Sequence, residues 1–105
     1  VIDKHKLLAF LQGHIGAASG VSAATLAQLF HITPRHVREL VTELRLEGVA
    51  VCGRPKTGYF IAATGEEIEA TCQFLRSRAM HSLTLESALR ETTLGELLGQ
   101  MRLKT

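Results

Sequence analysis

The turn His31-Ile32-Thr33, followed by Pro34, constrains this chain more than any other segment. Thr33 has the side chain that caps a helix, and Pro34 falls at a first helical position, where its missing N–H costs nothing. Two helices therefore meet here. One covers about residues 23–30, capped by Ser22, with Leu26, Ala27 and Phe30 facing inward. The other runs from Pro34 to about Glu47, and Gly48 fits the left-handed position that stops it. Val49–Arg54 and Gly58–Ala62 then read as two short strands. Pro55-Lys56-Thr57 supplies the turn between them, and Gly58 can take positive φ. The order is helix, tight turn, helix, hairpin with a basic tip.

The flanking segments are also legible. Asp3 is placed to cap a first helix over about residues 4–15, with Leu7, Leu8, Leu11 and Ile15 at helical spacing and Phe10 at the edge. The small residues 16–20 read as a loop, and Val21 is placed to add a short strand to the hairpin. Thr64 caps a further helix, with Glu66 and Glu67 in its first turn and Glu67 at the capping-box position. Ile68, Cys72, Leu75 and Ala79 form a stripe along it. After Met80 the pattern weakens, and Ser82 or Thr84 is expected to begin another short helix through Arg90. Thr93 with Glu96 is a second capping box, opening a last helix with Leu94, Leu97, Leu98 and Met101. The fold class expected is mainly α with a small β-hairpin. Residues 1–63 form the first domain and residues 64–105 a helical extension.

Charge is unevenly spread. Residues 1–63 hold seven Lys and Arg against four acids, whereas residues 64–105 hold five against six. The basic excess lies with the two helices and the hairpin. No apolar run approaches the ~18 residues of a membrane span, and the opening VIDKHKLLAF has no signal-peptide character, so a cytoplasmic location is expected. Cys52 and Cys72 form no CxxC pair and read as buried small hydrophobes. The five histidines match no HxxxH, HExxH or Cys/His zinc spacing. With no phosphate loop or nucleophile elbow either, neither metal, cofactor nor catalytic residues are predicted.

On the helix from Pro34, Val37, Leu40, Val41 and Leu44 share one face, which is the core face. Arg35, Glu39, Thr42 and Leu46 lie opposite, with Arg38 and Glu43 on the flanks and His36 nearer the turn. A helix in a major groove reads bases with its N-terminal residues, which here are Arg35, His36, Arg38, Glu39 and Thr42. Arginine forks onto guanine, and glutamate accepts from cytosine N4. Glu39 and Glu43 also stand where they can orient Arg35 and Arg38. Ser22 and Thr25 at the start of the preceding helix are candidate phosphate contacts, and Arg54 and Lys56 at the hairpin tip are candidates for the sugar–phosphate backbone or the minor groove. Tyr59 and Phe60 alternate in direction, one toward the core and one toward a later helix. Leu46 is either covered by the C-terminal helices or a second subunit, or a singly exposed leucine.

Residues 7–62, LLAFLQGHIGAASGVSAATLAQLFHITPRHVRELVTELRLEGVAVCGRPKTGYFIA, resemble the winged helix–turn–helix domain at the head of biotin-repressor-type proteins. They are similar also to related small phage and prophage regulators. Leu26, Ala27, Phe30, Ile32, Val37 and Leu40 match the apolar skeleton, and GYFIA looks like the end of the wing. His31 departs from the glycine often found in the turn. Nothing here matches the ligase portion of the biotin repressors, so the resemblance implies no enzymatic activity. The segment EEIEATCQFLRSRAMHSLTLESALR looks like the tails of small phage-encoded helix–turn–helix proteins, where such a helix packs on its domain or pairs with its twin.

The expectation is a sequence-specific double-stranded DNA-binding protein of phage or prophage type that regulates transcription. A homodimer is expected through Ile68, Cys72, Leu75, Ala79, Leu94, Leu97 and Leu98. Two alternatives keep the fold: a replication or packaging component that recruits proteins through residues 64–105, and a protein–protein module without DNA contact. No small-molecule ligand is inferred.

Overall fold

The computed structural model describes residues 3–92 and Gly99. Among them the chain is mainly α with a small β-hairpin. The elements are α1 (Lys4–Leu11), α2 (Ala23–Phe30), α3 (Pro34–Leu46), β1 (Val51–Arg54), β2 (Gly58–Ile61) and α4 (Gly65–Glu91). The chain divides into two compact units, Val1–Cys72 and Gln73–Thr105, so the first turns of α4 belong to the first unit.

Each helix starts on the cap its sequence offers. Asp3 accepts from the amide of Lys6, Ser22 from Thr25 and Thr33 from His36. Asp3 Oδ1 lies 3.0 Å from the Lys6 amide, which holds its carboxyl below the usual aspartate range. His31 takes the left-handed conformation at φ 56°, the position where the sequence lacks a glycine. The helix therefore turns sharply here on a residue with a side chain. Gly48 stops α3 at φ 88°.

The first helix is shorter than expected. It ends at Leu11 rather than near Ile15, because Gly13 interrupts it and the following backbone pairs with β2 instead. Ile61 donates to the His14 carbonyl at 2.9 Å, and Gly16 donates to Ile61 at 2.8 Å. Ile15 is thus half of a parallel bridge and 56% exposed, not a core residue. The segment expected to be a loop contains a single 3₁₀ turn over Ala17–Ser19.

The hairpin is antiparallel, with Val51 opposite Ile61, Cys52 opposite Phe60, Gly53 opposite Tyr59 and Arg54 opposite Gly58. Val49 and Ala50, expected in the first strand, precede it. Val21 exchanges two hydrogen bonds with Tyr59, at 2.9 and 2.8 Å, an isolated antiparallel bridge rather than the short strand the sequence suggests. That contact requires Gly58. A Cβ there would lie 2.7 Å from Gly20 C and 2.8 Å from Val21 N.

The core joins α1, α2, α3 and the hairpin. Leu7, Leu11, Leu26, Val37, Val41 and Leu44 are almost inaccessible, with Tyr59 among them. Burial of side chains this size contributes roughly 1.5–3 kcal/mol each. Phe10 and Phe30 meet edge to face at 5.5 Å at the margin.

One continuous helix replaces the break expected at Ser82 or Thr84. The α4 segment has neither proline nor internal glycine, and Thr84 Oγ1 bonds back to the Met80 carbonyl at 2.9 Å rather than capping a new start. No residue of α4 is buried, and Cys72 is exposed. This corrects the buried reading of Cys72. Its helical spacing is right, but in this chain that face is open. The second capping box and Leu94, Leu97, Leu98 and Met101 lie outside the described residues. Among the described residues, no helix is long and apolar enough to cross a membrane.

Candidate functional site

The outward face of α3 is set by the opposite one. Because Val37, Leu40, Val41 and Leu44 are buried, Arg35, Arg38, Glu39, Thr42 and Glu43 are exposed, and His36 is half-buried. No acid occupies the first turn of α3, so the positive end of the helix dipole stands beside Arg35 and Arg38.

Arg35 Nε lies 3.4 Å from Glu39 Oε1 across one helical turn, both side chains largely in solvent. An exposed pair of this kind contributes about 0–1 kcal/mol. Glu39 therefore holds Arg35 only weakly. Thr42 Oγ1 donates to the Arg38 carbonyl at 3.0 Å, which commits its proton and leaves the oxygen able to accept. Glu47 is drawn away to Lys4, whose Nζ lies 3.0 Å from Oε2. That hydrogen bond raises the Lys4 ammonium above its ordinary value. Leu46 is 84% exposed.

The second group of candidates comes together at the start of α2. Ala23 donates to the Pro55 carbonyl at 3.0 Å, so the hairpin turn sits against the first turn of the helix. Ser22 Oγ donates to Thr25 Oγ1 at 2.9 Å and accepts from the Thr25 amide at 3.2 Å. The Ser22 proton is thereby used, and the Thr25 hydroxyl is the donor left facing solvent. Arg54 and Lys56 are exposed on either side of Pro55.

Three features of this region were not anticipated. Arg45 Nε donates to the Val51 carbonyl at 2.8 Å and a terminal nitrogen donates to Gly53 at 3.2 Å. Thr71 Oγ1 accepts from the Gly53 amide at 3.0 Å. Glu67 caps α4 as expected, but its carboxylate accepts from Ala63 at 2.7 Å, from Ala17 at 2.7 Å and from Thr64 at 3.2 Å. Donation from the Ala63 amide first, then from Ala17, holds the Glu67 carboxyl below the usual glutamate range. The capping box was visible in sequence; a partner fifty residues away carried no signal. A cleft of about 170 Å³ lies between the hairpin, the 3₁₀ turn and α4, lined in part by Phe60, Glu67 and Thr71. Its carboxylate is already committed to backbone amides. Among the described residues, no three His, Cys, Asp or Glu side chains converge as a metal site.

Ile68, Cys72, Leu75 and Ala79 recur along one side of α4, all exposed. Within the second unit, Leu75, Met80, Leu83, Leu85 and Leu89 are between 44% and 74% exposed.

Comparison with protein families, with curated proteins and with solved structures gives no match for this chain.

Proposed function

We propose that this protein is a winged helix–turn–helix module that binds double-stranded DNA and regulates transcription. α3 lies in the major groove, and the hairpin tip and the start of α2 rest on the flanking backbone. The observation that carries this reading is the exposed first half of α3. It presents Arg35, Arg38, Glu39 and Thr42 from a helix whose inner face is fully packed. Base readout needs such a rigid element with its polar face in solvent. The hydrogen bond between Ala23 and Pro55 supports a shared backbone-contacting surface, since it joins two sets of phosphate-binding groups.

Two copies act together on a two-fold site, pairing through α4. Support comes from the five large apolar side chains left in solvent in the second unit. Helices draw most of their stability from packing an apolar face, and no residue of α4 is buried. Light scattering at micromolar concentration is expected to give two chains per particle; one chain would refute the pairing.

The test of DNA binding is selection from random duplexes followed by substitution. Arg35→Ala and Arg38→Ala are each expected to weaken the selected site by about 1–3 kcal/mol and relax its sequence preference. Retention of full affinity and preference by both variants would refute the groove assignment.

A further inference from the structure

The outer edge of β1 is held at one residue by two different helices. Gly53 offers its carbonyl to Arg45 of α3 at 3.2 Å and its amide to Thr71 of α4 at 3.0 Å. The same guanidinium takes the Val51 carbonyl at 2.8 Å and lies 5.8 Å from the centre of the Tyr59 ring, which belongs to the residue opposite Gly53. These are the backbone groups that an edge strand leaves unpaired on its outer side. Gly53 itself is bent to φ 98°, and a Cβ there would collide with the Gly58 carbonyl oxygen. It is the last residue before Arg54 and the turn that carries Lys56.

We infer that Arg45, with Thr71 as a second arm, is a positioning residue that fixes the cationic hairpin tip relative to the outward face of α3. This rests on the DNA-binding reading above. A hairpin of two four-residue strands has little rigidity of its own. Arg45 stems from a helix packed on the core, and its planar fork reaches two carbonyls two residues apart at once. A lysine there, being a point charge, would hold one at a time. The clamp on one side, with the Ala23–Pro55 hydrogen bond on the other, sets the angle of the tip, and hence which phosphates Arg54 and Lys56 meet when α3 is in the groove.

The experiment is a cycle of affinity against salt on one duplex. It uses wild type, Thr71→Val, Arg45→Met, the double variant Arg54→Ala/Lys56→Ala, and each clamp variant combined with that double variant. Removing the tip cations is expected to make the log–log salt slope shallower by about 1.8, the equivalent of two phosphates. Thr71→Val, which deletes no charge, is expected to reproduce part of that loss. Arg45→Met is expected to reproduce most of it. In the background lacking the tip cations, both are expected to add less than a further twofold loss. Independent losses that multiply in the combined variants, or a Thr71→Val slope equal to wild type, would overturn the inference. A wild type without salt-dependent affinity would instead refute the DNA-binding reading itself. Thermal melts confirm that each variant is folded, and Arg45→Lys replaces Arg45→Met should the latter unfold.

Discussion

The amide of Ala23 and the carbonyl of Pro55 meet at 3.0 Å, so the first turn of α2 and the hairpin tip form one surface. Ser22 and Thr25 stand on one side of that bond, and Arg54 and Lys56 on the other. The Thr25 hydroxyl with the two cations makes a set of the kind that grips a phosphate backbone, and Ser22 orients that hydroxyl. On the reading proposed above, the exposed residues of α3 are the groups that would read base edges.

The cap on α3 is tested by removing its acceptor. Thr33 Oγ1 accepts from the His36 amide at 3.1 Å, where the helix would otherwise begin with an unpaired donor. Thr33→Ala is expected to lower stability by about 1 kcal/mol, read by urea denaturation. Thr33→Ser is expected to restore most of the loss.

The close approach of the hairpin to residues 20 and 21 depends on Gly58, at φ 118°. Gly58→Ala places a methyl against backbone that cannot yield like a flexible side chain. The expected loss exceeds about 1 kcal/mol, since it adds positive-φ strain to the clash. A melting temperature equal to wild type would contradict the geometry.

Glu67 gives the fold a defined acid sensitivity. Its carboxylate is held ionised by the amides of Ala63, Ala17 and Thr64. The folded chain therefore takes up this proton less readily than the unfolded chain. Stability from Glu67 is present above the ordinary glutamate titration range and is lost as pH falls through the lower folded value. Glu67→Gln is expected to melt below wild type at pH 7, and the difference is expected to shrink in acid. A gap that widens as pH falls would contradict this sign.

The two cysteines are expected to differ in access. Cys72 is exposed on α4 and Cys52 is buried opposite Phe60. At a dilution where light scattering shows single chains, a thiol reagent is expected to modify Cys72 alone in the native protein and both residues after denaturation, as read by intact and peptide mass. Equal native labelling would contradict the burial of Cys52.

What the chain reveals in one dimension is what local chemistry decides. Ser22, Thr33, Gly48 and the pair Thr64–Glu67 mark helix ends because capping acts within three or four residues. Val37, Leu40, Val41 and Leu44 mark the core face because burial follows the helical period. Tyr59 and Phe60 separate by strand alternation, Tyr59 in the main core and Phe60 beside α4 in the cleft. Contacts that cross elements leave no such mark. The clamp of Arg45 and Thr71 on Gly53, and the reach of Glu67 to Ala17, depend on how separate segments meet. The helical spacing overshoots the end of α1 because the backbone after Gly13 pairs with Ile61 instead of making another helical turn. Cys72 is exposed although its spacing suggests burial, because an apolar stripe marks a face suited to a partner without showing that the face is covered.

The most direct measurement is a backbone amide NMR titration of the whole chain with a selected duplex at low salt. Amides of residues 35–43, of residues 22–25 and of Arg54, Lys56 and Thr57 are expected to shift together and to saturate at one stoichiometry. Shifts confined to α4, or an unchanged spectrum with DNA in excess, would contradict the placement of α3 in the groove.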